Sequence, residues 1–390
     1  MPIDLTLDEH QQLLQRSAYD LFRRHCTPEA IRDVEADGTG YQPEVWQAMA
    51  GLGWLGITFP EPYGGGGGSF LDLYPIYEEM GRFAVPSPHL DTVAVAGDVI
   101  LRAGGEEHRE VVLPAISAGR CVISLATLEA DGAFGPPSVT LPAERRGSAY
   151  VLRGTKLLVA YAPAADRFLV TVRTGDGAGG NGRPGGAPGG FEDGISLLLV
   201  DAHLPGISCT PMRNIAGLPL YAVTFEDVTV PTDALIGPPG GGWAAFSSAV
   251  TKAAVLQTAT IVGAGRRVLE MTNQYAKDRQ QFGSPIGRYQ AVQYLVTDIL
   301  IDLHRADLLA RQAAFRIDAG MSFERQAAIA AAFGKRAAAH LHRQAHEVHA
   351  GVAFMVEHDL TLYSRRSKYW ENNLGDARYF EDLLVGTLGI

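Results

Sequence analysis

The period of the apolar residues changes twice along the chain, and this sets the order of its layers before any motif is read. From residue 1 to about 120, apolar side chains recur at helical spacing, as at Leu13, Leu14, Ala18, Leu21 and Phe22. Thr27-Pro28, the turn-rich 37–40 and five glycines at 64–68 divide that region into separate helices. From about 121 to 236 the texture becomes short β-branched runs, CVISLAT, AYVLRG, RFLVTV, ISLLLVD and AVTFEDVTV, each bounded by Gly, Pro or Asp. After the glycines at 240–242, alanine-rich helical periodicity returns over 251–276, 288–317 and 323–350. The expectation is an α+β fold with an N-terminal helical domain (1–120), a middle β-barrel-like domain (121–236) and a C-terminal four-helix bundle (237–390).

Composition narrows the function classes. With 43 acidic and 33 basic residues the formal charge is −10, which argues against a nucleic-acid partner. A chain that is 46% apolar and 19% charged builds cores rather than remaining disordered. No apolar run reaches the ~18 residues of a bilayer span, and the start MPIDLTLDEH has neither a basic n-region nor an apolar h-region. Cys26, Cys121 and Cys209 are odd in number and far apart, fitting neither a disulfide framework nor a zinc site. A cytoplasmic setting is expected. The glycine-rich stretch 175–194 is expected to be a surface loop, because no helix follows it to make a phosphate cradle.

Two patterns that often carry chemistry are weak here. His340, His342, His346 and His349 include a pair one helical turn apart, but HisGluValHis at 346–349 is not the zinc-protease pattern and no further ligand is marked. A solvated or interface helix face is the simpler reading, and no metal is expected. No GxSxG occurs for a serine nucleophile. The strongest block is 275–293, where a helix is expected to end near Phe282-Gly283, turn at Pro285 and restart near Arg288, presenting Gln290. Arg279 at such a corner suits a diphosphate, because a planar guanidinium donates paired charge-assisted hydrogen bonds.

That block resembles the signature of the acyl-CoA dehydrogenase family, Tyr-Ala-x-x-Arg-x-x-Phe-Gly-x-x-Ile-x-x-x-Gln-Ala. LeuGlyTrpLeuGlyIleThrPheProGluProTyrGlyGly at 52–65 is similar to the family's N-terminal consensus, and GluValHisAlaGlyValAlaPhe at 347–354 to its late helix. The resemblance spans the chain and implies FAD, a tetramer built as a dimer of dimers, and removal of two hydrogens from the Cα–Cβ bond of an acyl-CoA. It assigns Arg279, Phe282 and Gln290 to the diphosphate and adenosine half of an FAD whose ring lies largely in a neighbouring subunit. Glu347 and Gly351 fall at a second cofactor contact, with Ala350 replacing the first of the family's paired glycines. Trp46, Leu52, Trp54, Leu55 and Ile57 are expected in the core.

The reacting half departs from the pattern. Dehydrogenation needs a carboxylate for the α-proton, yet the family's usual base position is Leu374 and its alternative is Ala253. The flavin-ring positions are Leu158, Val159 and Ala160, and the loop beside them is ThrLeuGluAlaAspGlyAlaPhe at 127–134. Glu129, Glu371 and Asp376 remain as displaced acids, each also readable as a solvated carboxylate. The pattern resembles the base-lacking subunit of heterotetrameric steroid side-chain acyl-CoA dehydrogenases. The expected function is therefore α,β-dehydrogenation of an acyl-CoA by a flavoprotein subunit that lends its adenosine-side site to a partner carrying the base. The alternatives are a self-sufficient FAD-dependent oxidoreductase or monooxygenase of the same fold, and a flavin-free structural or acyl-CoA-binding protein.

Overall fold

A computed structural model describes residues 5–38, 40–174 and 192–388. The stretch 175–194, expected to be a surface loop, lies outside the described residues except for its last three.

The first helices are α1 (Glu9–His25), α2 (Pro28–Asp37), α3 (Pro43–Gly51), α4 (Phe70–Arg82), α5 (Asp98–Ala103) and α6 (Glu106–Ser117), with a π-helical segment, Leu90–Gly97, leading into α5. Their starts follow from capping chemistry. The Gln11 amide N–H donates to Asp8 Oδ1 at 2.8 Å while the Asp8 N–H donates back to Gln11 Oε1 at 3.2 Å. Ser69 and Asp72 make the same reciprocal pair at α4. Trp46, Trp54, Leu55 and Ile57 are buried as expected. Leu52 is not: it caps the C-terminus of α3 just before the left-handed Gly53, and that turn leaves it 49% exposed.

The middle region is two four-stranded sheets. In the first, β1 (Ile123–Ala126) runs parallel to β4 (Arg167–Arg173), followed by antiparallel β5 (Ile195–Asp201) and β8 (Leu235–Ile236). The second is wholly antiparallel, in the order β2 (Ala143–Arg146), β3 (Ala149–Ala160), β7 (Leu220–Pro231) and β6 (Ile207–Met212). Phe168, Val170 and Val200 of one sheet share a core with Tyr150, Leu152 and Phe225 of the other.

The remaining helices are α7 (Trp243–Asp278), α8 (Gln290–Asp318), α9 (Glu324–His349), α10 (Asp359–Asn372) and α11 (Ala377–Leu388). Helix α7 is the central strut. A Cβ on Gly263 would overlap the Glu78 carbonyl and one on Gly81 the Thr260 carbonyl, so this pair of glycines lets α4 and α7 cross in backbone contact. Contrary to the sequence expectation, α7 is long and apolar enough to cross a bilayer, but most of its apolar stretch is buried inside the protein. Its apolar character serves the core.

Candidate cofactor and substrate site

Helix α7 ends at Asp278 and is followed by a two-residue hairpin, β9 (Gln280–Gln281) and β10 (Ser284–Pro285), before α8 begins at Gln290. The helix thus stops four residues earlier than the periodicity suggested, because Phe282 and Gly283 both take positive φ, 53° and 78°, the requirement of a tight hairpin turn. The Ile286 N–H donates to the Arg279 carbonyl at 2.9 Å, and Tyr289 Oη donates to the Gln281 carbonyl at 3.1 Å. These bonds hold the corner, and the Phe282 ring stands edge-on to Tyr289 with centroids 6.3 Å apart. Phe282 is 93% exposed, while Arg279 and Gln290 are exposed and make no side-chain hydrogen bond or ion pair among the described residues. Tyr275 of α7 stacks on His349 of α9 with ring centroids 4.4 Å apart, bringing exposed Glu347 and Gly351 to the same end of the bundle. An unpaired guanidinium, an exposed phenyl ring and an exposed amide fit a diphosphate with an attached aromatic base.

A separate cleft of about 560 Å³ opens between the β sheets and the last two helices, walled by Leu128, Phe134, Leu158, Tyr369, Asn373 and Asp376. Leu158 reaches it through a bulge in β3, where pairing with β7 is interrupted between Lys156 and Val159 and Leu158 takes φ 55°. Of the three ring positions, Leu158 faces the cleft, Ala160 lines a smaller chamber behind it and Val159 is buried in the β core. The cleft's mixed apolar and polar walls suit a flavin ring or an acyl thioester.

The candidate acids fare differently. Glu129 is a buried anchor: Lys156 Nζ donates to it at 2.7 Å, the Thr140 and Leu141 N–H groups at 2.9 and 3.0 Å, and the Thr140 hydroxyl also donates. Burial pushes its carboxyl up, but the Lys156 ammonium and these donors outweigh that and hold it below the usual range. Such a carboxylate is spent as a structural anion. Burial in turn lowers Lys156 to about 8. Glu371 accepts from Ser367 Oγ at 2.7 Å and Lys368 Nζ at 2.9 Å and does not line the cleft. Asp376 does line it, but at the exposed mouth, where it accepts the Tyr379 N–H at 2.8 Å and starts α11. Leu374 is 5% exposed, and Ala253 is fully buried in the core.

Of the four histidines, His340 and His346 are partly exposed and the other two are not solvated. His342 and His349 are buried, because α9 packs between α7, α8 and α10. His340 pairs with Asp302 at 2.6 Å, and His342 Nδ1 lies 2.7 Å from the Ala338 carbonyl. Among the described residues, no three His, Cys, Asp or Glu side chains converge on a metal position. The periodicity missed two groups. Lys335 is buried and its Nζ donates to Gln257 Oε1 and to the Trp370 and Asn373 carbonyls at 2.8–2.9 Å, tying down the turn that carries Leu374. Asp91 is buried in the π-helical segment, and its only signal was a charge inside the apolar run 90–97.

Comparison with known proteins agrees with this layout. The family description "Acyl-CoA dehydrogenase, N-terminal domain" matches residues 8–120, and "Acyl-CoA dehydrogenase, C-terminal domain" matches 240–375. Acyl-CoA dehydrogenase FadE12 of Mycobacterium tuberculosis is 30% identical over 304 residues, 76% of this chain and 74% of its own. Butyryl-CoA dehydrogenase from Megasphaera elsdenii superposes with a TM-score of 0.89 over the whole of both chains at 22% identity. A chain of the ChsE4–ChsE5 complex of Mycobacterium tuberculosis superposes with a TM-score of 0.86 at 25% identity, over 99% of each. The chain belongs to the acyl-CoA dehydrogenase family. It is a flavoprotein oxidoreductase whose cofactor is FAD, and when bound FAD supplies the acceptor for the hydride that such an oxidation releases.

Proposed function

We propose that this chain is one subunit of a hetero-oligomeric acyl-CoA dehydrogenase. In that assembly Arg279, Phe282 and Gln290, with Glu347 and Gly351, grip the adenosine half of an FAD whose ring lies in a related subunit that carries the base. The acyl thioester reacts in that second subunit. The observation that carries the reading is an asymmetry: the outward corner keeps a free guanidinium, phenyl ring and amide, whereas the usual base position holds buried Leu374. A leucine there takes no proton in any environment. The likeness to a chain from a named two-protein complex supports it. The test is flavin content and subunit composition of the tagged protein purified from its own cells, by absorbance and native mass spectrometry. One FAD per two chains, in company with a second dehydrogenase-like chain, is expected; a homotetramer with one FAD per chain overturns the reading.

One observation favours a second reading. The cleft of about 560 Å³ is open in this chain, and a subunit that had ceded its own flavin ring and substrate has no need of it. On that reading the protein is a self-sufficient FAD-dependent oxidoreductase with its acid displaced from the usual position, and the same mass measurement decides between the two.

A further inference from the structure

The cleft is wide at its mouth and narrow behind. A chamber of about 20 Å³ continues inward from it, sharing Leu128, Phe134, Leu158, Tyr369 and Asn373 as walls, and a second chamber of about 50 Å³ lies behind Tyr369. Tyr369 of α10 is the residue common to the cleft and both chambers. An acyl tail that followed the cleft inward would therefore have to pass Tyr369 into spaces only a little larger than a water molecule, which needs roughly 10–15 Å³.

The inner chamber is also polar where a tail needs hydrocarbon. Asp91, Gln257 and Arg366 line it and are each at most 5% exposed. Two of the three keep a donor that no protein group among the described residues accepts. Lys335 Nζ carries donors only, so the Gln257 atom it meets at 2.9 Å is the amide oxygen, and the Gln257 Nε2 is left without a partner. Arg366 Nη2 donates to Glu35 at 2.6 Å, while the Arg366 Nε–H finds no acceptor. Asp91 is the complementary group. It accepts the Leu125 N–H and has further lone pairs to offer. Buried donors without acceptors are costly. A buried water makes about three hydrogen bonds to such groups, and two donors with one carboxyl oxygen match its two lone pairs and one of its protons. An alkyl chain matches none of them.

We propose that the chambers behind Tyr369 are a water site that closes this chain's cleft to acyl chains, with Gln257, Arg366 and Asp91 holding the water and Tyr369 forming the wall. A methylene chain entering there would expel the water and leave two donors and a carboxyl buried against hydrocarbon. The inference deepens the first reading above and rests on it: the cleft of this chain is open to solvent but takes no acyl tail, so the thioester is left to the related subunit.

The assembly purified from its own cells is titrated with acetyl-, hexanoyl- and lauroyl-CoA by equilibrium dialysis, and crystallised to a resolution that shows ordered water. Where a tail is buried, each methylene raises affinity about fourfold. The expected result is one chain-length-dependent site per two chains, with ordered water bonded to Gln257 Nε2 and Arg366 Nε. Tyr369→Ala, which joins the chambers to the cleft, is expected to raise the lauroyl-CoA count toward one per chain; an unchanged count removes Tyr369 as the wall. Lauroyl-CoA bound by both kinds of subunit in the wild-type assembly, or an acyl tail seen behind Tyr369, overturns the water site and leaves the first reading standing. A homotetramer with one FAD per chain overturns the first reading; there, equal affinity for acetyl- and lauroyl-CoA still supports the closed cleft and a steep rise with chain length overturns it too.

Discussion

Ala350 stands where the resemblance expects a glycine, at φ 55° and ψ −140°, a region that side chains with a Cβ enter only under strain. Ala350→Gly should stabilise the protein by about 1 kcal/mol, read as a shift of the denaturation midpoint at unchanged slope. Leu374 is another non-glycine residue at positive φ, 58°, and it lines a small chamber that Asp91 and Asn373 also line. Leu374→Glu would bury a second carboxyl beside the first, so the variant should melt lower as pH rises and should not restore robust dehydrogenation, since Leu158, Val159 and Ala160 offer no polar side chain to a flavin ring. Robust turnover by that variant would count against the proposed division of the site between two subunits. These positions show what one residue in a sequence reveals. That residue 374 is a leucine was legible at once, whereas the acid that shares its chamber lies far away in the chain and was marked only by a charge within an apolar run.

At the scale of elements, the end of α10 is fixed from outside by α9. The Lys335 ammonium closes two backbone carbonyls and the Gln257 amide at once, and burial lowers it to about 7. Lys335→Met should cost ~2–4 kcal/mol, because it strands those acceptors in the interior, and should loosen the 371–376 turn. Hydrogen exchange at Leu374 and Gly375 rising before global unfolding would show it. The hairpin corner after α7 behaves oppositely. The Arg279 side chain is exposed and makes no hydrogen bond or ion pair among the described residues, so Arg279→Ala should leave the melting temperature within about a degree of wild type while lowering retained FAD in any complex. Unchanged FAD content would remove the cofactor role of Arg279.

Across the whole molecule, one apolar core runs from α1 and α4 through α7 to α9 and α10, while the sheets keep a core of their own. Buried histidines sit in that shared helical body. Burial lowers His89 and His342 to about 4 each. Their folded values lie below the unfolded one, so the unfolded state binds more protons as pH drops. Their contribution is complete above about 6.5 and is lost progressively as pH falls toward 4, which costs ~2 kcal/mol for each group at pH 5. Buried Asp91 and Glu79, raised to about 7, change in the opposite sense over this window, so the histidine contribution is read by difference: between pH 7 and pH 5 His342→Gln should gain thermal midpoint relative to wild type.

The order helix, sheet, helix was legible because it rests on local periodicity, which each segment carries by itself. The exposed corner was legible for a related reason: Arg279, Phe282 and Gln290 lie within one short block whose turn chemistry is local. Burial of the histidines and the engagement of Glu129 were not legible, since both depend on which faces α9 and β3 present to distant neighbours. The same holds for Asp91 and Lys335. Asp91 and Leu374 come to line one chamber only when the π-helical segment and the end of α10 are brought together, and Lys335 meets the Trp370 and Asn373 carbonyls only when α9 packs against that end. Local periodicity therefore determined the elements and the exposed corner, while long-range packing alone decided which buried charges share a chamber and what proton affinity each one has.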